Sequence, residues 1–394
     1  MKINARCWLL FGSFYAFVCV VSSFVTYYLD VLEHTNKTIG ILIAVCCAVG
    51  AILQLPAGRI ADKYPKFYWK NQLLVFGILA MLVCLSRIMF HVKGWGLISS
   101  GILLILMYLM MPMVNQAVFY YSNNGVPVNF GVTRGIGAVS FALASYVVGK
   151  ATGLVGHISV RVSSAIFLAV MLITVLILPK VKETAAASSS EPKQTQPQNQ
   201  MSTGFVRKYT MFLIVTVGIT LVLTFHNFLN TYFLRIVERI GGDSSHMGTA
   251  LAIAAFSEIP ILFLYSKIAG IKKVTTKMLI IVGCSVFVLR GVLYLLIGNT
   301  TMLYASQLLQ GISFGILVAA KATYSNEVMD ENDKTTGQSI MSMTDTVAAV
   351  IGSLAGGVII DHQGLAPALV CSTILAAVGT VMIILTSLKK QAQI

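Results

Sequence analysis

Ala185-Ala186-Ala187-Ser188-Ser189-Ser190 runs directly into Glu191-Pro192-Lys193-Gln194-Thr195-Gln196-Pro197-Gln198-Asn199-Gln200. Such a stretch buries too little apolar surface to offset the entropy of ordering it, so 182–208 is expected to be a flexible linker. Its surroundings are opposite in character. Six apolar runs precede it, at 7–29, 38–58, 72–91, 96–120, 129–151 and 162–181. Six more follow, at 209–233, 246–268, 277–297, 300–322, 338–360 and 365–387. Each is long enough to cross a ~30 Å hydrocarbon core, which takes roughly 20 residues of helix. The expected fold is therefore an all-α membrane protein with 12 transmembrane helices, in an N-terminal bundle over 1–181 and a C-terminal bundle over 209–394.

Composition agrees. Of 394 residues, 57% are apolar and 11% charged, against roughly 25% charged in a soluble domain. A soluble globular protein is excluded. The net charge of +14 would suit a nucleic-acid partner, but Lys and Arg sit in short clusters between apolar runs and form no basic stripe. With the N-terminus cytoplasmic, the loops on that side carry 18 Lys and Arg against 6 on the other. This bias puts both termini and the linker in the cytoplasm of a plasma (inner) membrane protein. The seven cysteines lie in or beside apolar runs and read as small packing residues.

The two halves echo each other. Thr26-Tyr27-Tyr28-Leu29 matches Thr231-Tyr232-Phe233-Leu234, and Arg59-Ile60-Ala61 matches Lys267-Ile268-Ala269, at corresponding places in the six-plus-six layout. Parallel repeats of this kind imply two bundles related by a pseudo-twofold axis along the membrane normal, with a solute site between them near the midplane.

Gly58-Arg59-Ile60-Ala61-Asp62-Lys63 follows the second apolar run. It resembles the loop signature Gly-x-x-x-Asp-(Arg/Lys) of the major facilitator superfamily, although Tyr64-Pro65-Lys66 replaces the rest of that pattern. The resemblance implies the major facilitator fold, with Gly58, Asp62 and Lys63 as a conformational latch. Phe130-Gly131-Val132-Thr133-Arg134-Gly135-Ile136-Gly137-Ala138-Val139, then Phe141-Ala142-Leu143, is similar to the fifth span of lactose permease and its oligosaccharide/proton symporter relatives. That similarity implies that Arg134 hydrogen-bonds a sugar and Phe141 stacks on it. Independently, positions 134 and 141 lie two turns apart on one helix face. An arginine inside a span marks a functional site unless it snorkels to the surface.

The second half holds further charge. Glu258 and Arg290 each lie about 18–20 Å into their spans, close to mid-membrane, and are expected to meet, as site residues or as a structural ion pair. The same family carries a sugar-contacting glutamate and a proton-coupling arginine in these spans. Asp345 lies about two turns inside the eleventh span, either as a protonatable carboxyl or as one solvated from the cytoplasm. His226, Asn227 and Asn230 serve solute binding or helix packing, with 226 and 230 on one face. Lys321 is expected to snorkel at the end of the tenth span.

The tenth span, Gln307-Leu308-Leu309-Gln310-Gly311-Ile312-Ser313-Phe314-Gly315, has no ionisable group, whereas lactose permease has a His and a Glu there. Proton coupling is thereby assigned to Glu258, Arg290 and Asp345. This stretch and Ser257-Glu258-Ile259-Pro260 resemble neighbouring aromatic-acid and nucleoside proton symporters, and Gln310 joins the candidate solute ligands. The expected function is proton-coupled uptake of a small neutral hydroxyl-rich solute, because Arg134 and Arg290 balance Glu258 and Asp345. Alternatives are nucleoside or aromatic-acid symport, or efflux by antiport, against which the proline-free fifth span argues. A receptor or enzyme would need a soluble domain or catalytic constellation, and no loop supplies one. A monomer is expected in the bilayer, driven by a proton gradient without a bound cofactor or metal.

Overall fold

A computed structural model describes residues 3–63, 69–90, 92–179, 203–330 and 333–391. Among these every regular element is a helix, and 12 helices are long and apolar enough to cross a membrane. They are α1 (Ile3–Ser23), α2 (Asn36–Gln54), α3 (Trp69–Met89), α4 (Lys93–Asn123), α5 (Phe130–Val155) and α6 (Ile158–Ile177). The second half supplies α7 (Thr210–Arg239), α8 (Ser244–Tyr265), α9 (Thr276–Leu296), α10 (Thr300–Val328), α11 (Thr336–Gln363) and α12 (Leu365–Ser387). Helix is the form such segments take in hydrocarbon, because every backbone group is then satisfied within the segment.

The ends follow local chemistry. Asn129, Thr275 and Asn299 accept from the amides of Val132 (3.0 Å), Met278 (3.2 Å) and Met302 (2.9 Å), which caps α5, α9 and α10. Gly156 and Gly364 end α5 and α11 at φ 65° and 90°, which suits glycine. The tail of the expected linker is not flexible coil. Thr203–Lys208 forms a short helix, with Lys208 paired to Asp330 (2.5 Å) and Asp333 (3.2 Å). Residues 180–202 lie outside the described residues.

Within the first half α1 packs on α5 and α6, and α3 on α4; within the second, α7 packs on α11 and α12, and α9 on α12. The most extensive contacts between the halves are α5 with α8 and α2 with α11. Small residues allow both approaches. A Cβ on Gly149 would lie 2.7 Å from the Cα of Gly248. Gly40 of α2 lies against the carbonyl of Ser353 in α11.

A polar seam crosses between the halves at the face remote from the termini, at the repeated Thr-Tyr stretches themselves. Thr26 Oγ1 donates to the Thr231 carbonyl at 2.6 Å. One helical turn on, Arg235 of α7 pairs with Asp30 of the helix Val25–Val31 that continues α1. Arg235 Nε also donates to Asn36 Oδ1 at 2.9 Å. Asp361 of α11 accepts from the amides of Asn36 (3.1 Å) and Lys37 (2.7 Å) and from Asn36 Nδ2 (2.8 Å). The first turn of α2 is thus capped by a carboxylate from the other half. In contrast, α8 is capped by its neighbour Asp243, which accepts from the Ser245 and His246 amides at 3.0 Å.

Candidate functional site

A cavity of about 320 Å³ lies between the halves and is lined by residues of both. Its geometry begins with the tenth span. At Gly311–Gly315 the helix widens into a π turn, a feature common at functional sites. The Gly311 amide donates across to Ser257 Oγ at 2.9 Å, and a Cβ at 311 would collide with the Ser257 carbonyl. This close crossing of α8 and α10 sets Glu258, the residue after Ser257, beside Gln310, the residue before Gly311.

Gln310 therefore stands between the two charges. Its Nε2 donates to Glu258 Oε1 at 3.1 Å, while its Oε1 accepts from Arg290. The expected direct meeting of Glu258 and Arg290 is replaced by a bridged one. The physical reason is that an amide offers both a donor and an acceptor and so satisfies both ions at once. Arg290 is buried and also donates to Ser313 Oγ and Tyr294 OH, each at 3.2 Å. Gln307 Nε2 donates to the same Tyr294 hydroxyl at 2.7 Å.

Arg134 enters from the first half and lines the cavity, so it does not snorkel away from it. Its guanidinium lies over the ring of Tyr15, 4.2 Å from the centroid, a cation–π arrangement. Gly137 makes this possible, since a Cβ there would be 2.6 Å from Tyr15 Cδ2. Phe141 lines the same cavity two turns along α5.

From α7, His226 is buried and stacks on Phe314, with ring centroids 4.3 Å apart. Its Nε2 lies 3.0 Å from Asn230 Nδ2. Asn227 donates to the Leu223 carbonyl at 3.0 Å, and all three α7 residues line the cavity.

Lys321 departs from expectation, and Asp345 takes the solvent-reached of its two expected forms. Lys321 is buried rather than snorkelling, and it pairs with Asp345, whose side chain is 49% exposed. Neither lines the cavity. The lysine stem can stay inside the bundle because the partner carboxylate compensates the ammonium. Gly58, Asp62 and Lys63 fall in the last two turns of the helix Asn36–Lys63, with side chains outside the described residues. Two arginines were given no structural or site role by the sequence. Arg161, counted among loop charges, is buried and donates to the Arg87 carbonyl at 3.2 Å, while Arg87 lies over Tyr28.

Sequence reasoning missed Tyr15, Tyr294 and Ser313 as neighbours of the arginines. Aromatic and hydroxyl residues are ordinary in spans, so nothing in the sequence marks them. No three His, Cys, Asp or Glu residues among those described are grouped to hold a metal ion.

Known proteins share this architecture. An uncharacterized transporter of Bacillus subtilis (strain 168), YwbF, is 23% identical over 337 residues, covering 84% of this chain and 72% of the relative. The crystal structure of a mutant of the nucleoside transporter NupG superposes with a TM-score of 0.80 at 14% identity, over 98% of this chain and 99% of that one. A POT family transporter in complex with a thioalcohol conjugated peptide gives 0.74 at 15% identity, over 98% and 96% of the two chains. These likenesses are to major facilitator transporters, and twelve spans with a cavity between two six-helix halves are what that fold provides. The model of the MFS_1 like family matches residues 6–370, and the chain belongs to that family.

Proposed function

We propose that this transporter is a proton-coupled symporter that takes up a small organic solute by alternating access through the central cavity. The observation that carries the reading is the chain from Glu258 through Gln310 to Arg290, facing Arg134 of the other half across the cavity. Ionisable groups inside a membrane bundle mark solute and proton pathways. A carboxyl held by a neutral amide is free to gain and lose a proton without breaking an ion pair. Glu258 is the coupling carboxyl, and Arg290 holds Gln310 toward it.

The cavity volume sits at the low end of the ~300–1,000 Å³ range of ligand pockets, which favours a small solute over an oligosaccharide. The neutral sugar expected from sequence rested on counting Asp345 with the cavity charges. Its pairing with Lys321 removes it from that count. A nucleoside or an aromatic acid fits the His226–Phe314 stack and the ring of Phe141. In this reading the termini and linker are cytoplasmic, the seam at Asp30–Arg235 closes the outer side, and Gly58, Asp62 and Lys63 latch the inner side. The working unit is a monomer in the inner membrane.

Purified protein in liposomes, offered labelled sugars, nucleosides and aromatic acids, tests this reading. Accumulation of one class should require an imposed inward proton gradient and collapse with a protonophore. Accumulation indifferent to the protonophore would refute proton symport.

A further inference from the structure

The charge inventory of the cavity is unbalanced. Among the described residues that line it, Arg134 and Arg290 are cations and Glu258 is the one carboxylate. Lys321 and Asp345, which pair with each other, cancel outside it. The other titratable groups that share the cavity with Glu258 come from several helices: Tyr15 from α1, Tyr108 from α4, Arg134 from α5, His226 from α7 and Tyr294 with Arg290 from α9. From α10 come only the neutral Gln307, Gln310 and Phe314. With Glu258 ionised the cavity therefore carries one net positive charge, and with Glu258 protonated it carries two.

The two arginines are also unequally engaged. Arg290 is stitched into Gln310, Ser313 and Tyr294. Arg134 has the face of its guanidinium on Tyr15, and no hydrogen bond to it is present among the described residues. Its planar fork is exposed to the cavity, and such a fork matches a carboxylate bidentately.

We infer that the solute is a small organic monoanion, a single carboxylate on an apolar or aromatic body, which Arg134 holds while Glu258 is protonated. This rests on the proton-symport reading and narrows it to a substrate class. The loaded cavity then contains two guanidinium charges, a neutral Glu258 and one solute anion. The empty cavity contains the same two guanidinium charges and an ionised Glu258. Both forms that must reorient carry one net positive charge. One proton and one anion cross together, so the cycle moves no net charge. A neutral solute would instead leave two uncompensated guanidinium charges in a low-dielectric cavity, a costly state.

The proposal is tested on purified protein by thermal shift and by liposome transport, using benzoate, phenylacetate and lactate beside their neutral amides, a disaccharide and a nucleoside. The carboxylates should stabilise the protein, more strongly at pH 5.5 than at pH 8, and the amides should bind at least tenfold more weakly. Arg134→Gln should lose at least tenfold in carboxylate affinity while its unliganded melting temperature stays near wild type. Uptake should follow a pH gradient and ignore an imposed membrane potential. Binding of the nucleoside or disaccharide without the carboxylates, or uptake driven by the potential, would overturn the monoanion while leaving proton symport standing. Carboxylate uptake that survives loss of the pH gradient would instead sink the symport reading. No shift with any carboxylate would overturn the inference outright.

Discussion

Asp30 and Arg235 stand at matching positions of the two halves, one residue beyond Leu29 and Leu234 of the repeated stretch, and they pair with each other across the seam. The repeat legible in the sequence is thus also one of the places where the halves touch. Opposite charges at equivalent positions turn a symmetric contact into an attractive one.

Asp30→Asn or Arg235→Gln should loosen this closed face. The pair is only partly exposed, at 29% and 21%, so its worth lies between the ~0–1 kcal/mol of surface pairs and the ~3–5 kcal/mol lost on breaking a buried one. A shift of about tenfold toward the state open on that side is expected. Labelling of a cysteine placed at Ser22 by a membrane-impermeant reagent measures it. The exchange Asp30→Arg with Arg235→Asp should recover part of the loss, and a double variant worse than either single one would contradict direct pairing.

Asp361→Ala should weaken the same closed state by removing the cap on α2. Loss of a capping side chain typically costs ~1 kcal/mol. Asp361→Asn keeps one acceptor and should cost less. Asp243→Ala, which uncaps α8 within its own half, should lower the melting temperature without changing outer labelling.

The spans were readable because run length and hydropathy alone decide them in a bilayer. Arg134, Glu258 and Arg290 stood out because charge inside a span is costly. The bridging role of Gln310 was not readable, since it depends on the π turn at Gly311–Gly315 and on Ser257 meeting the Gly311 amide. Lys321 and Asp345 are 24 positions apart on different helices, and only tertiary packing brings them together. Tyr15 meets Arg134 because Gly137 leaves room for its ring, a relation between α1 and α5 that no local pattern records.

Gln310→Leu should be more harmful than its modest size change suggests. It leaves the Arg290 and Glu258 groups without their shared partner, and an unsatisfied buried polar group costs ~1–3 kcal/mol. The melting temperature should fall and solute binding weaken. In a Glu258→Gln background the extra cost of Gln310→Leu should shrink; an unchanged cost would show that the two side chains are not coupled.

The Lys208–Asp333 contact predicts acid sensitivity at the linker face. The Tyr209 hydroxyl, donating at 2.7 Å, and then Lys208 hold the Asp333 carboxyl below its ordinary range. A depressed carboxyl stabilises above the unfolded value, ~3.9 for Asp, and that contribution fades as pH falls through the folded value. Protection of the Thr203–Lys208 amides from hydrogen exchange, taken relative to the intrinsic rate at each pH, should therefore hold at pH 6 and fall below about pH 4. Tyr209→Phe should move the onset to higher pH, and an onset unmoved by that change would exclude the hydroxyl as the cause.

The central claim is that a proton on Glu258 drives solute accumulation, and counterflow against gradient-driven uptake tests it most directly. In liposomes, Glu258→Gln should still exchange labelled for unlabelled solute across the membrane, yet fail to concentrate solute when an inward proton gradient is imposed. Asp345→Asn, paired with Lys321 outside the cavity, should retain accumulation. A Glu258→Gln protein that concentrates solute as well as wild type under the same gradient would contradict the account.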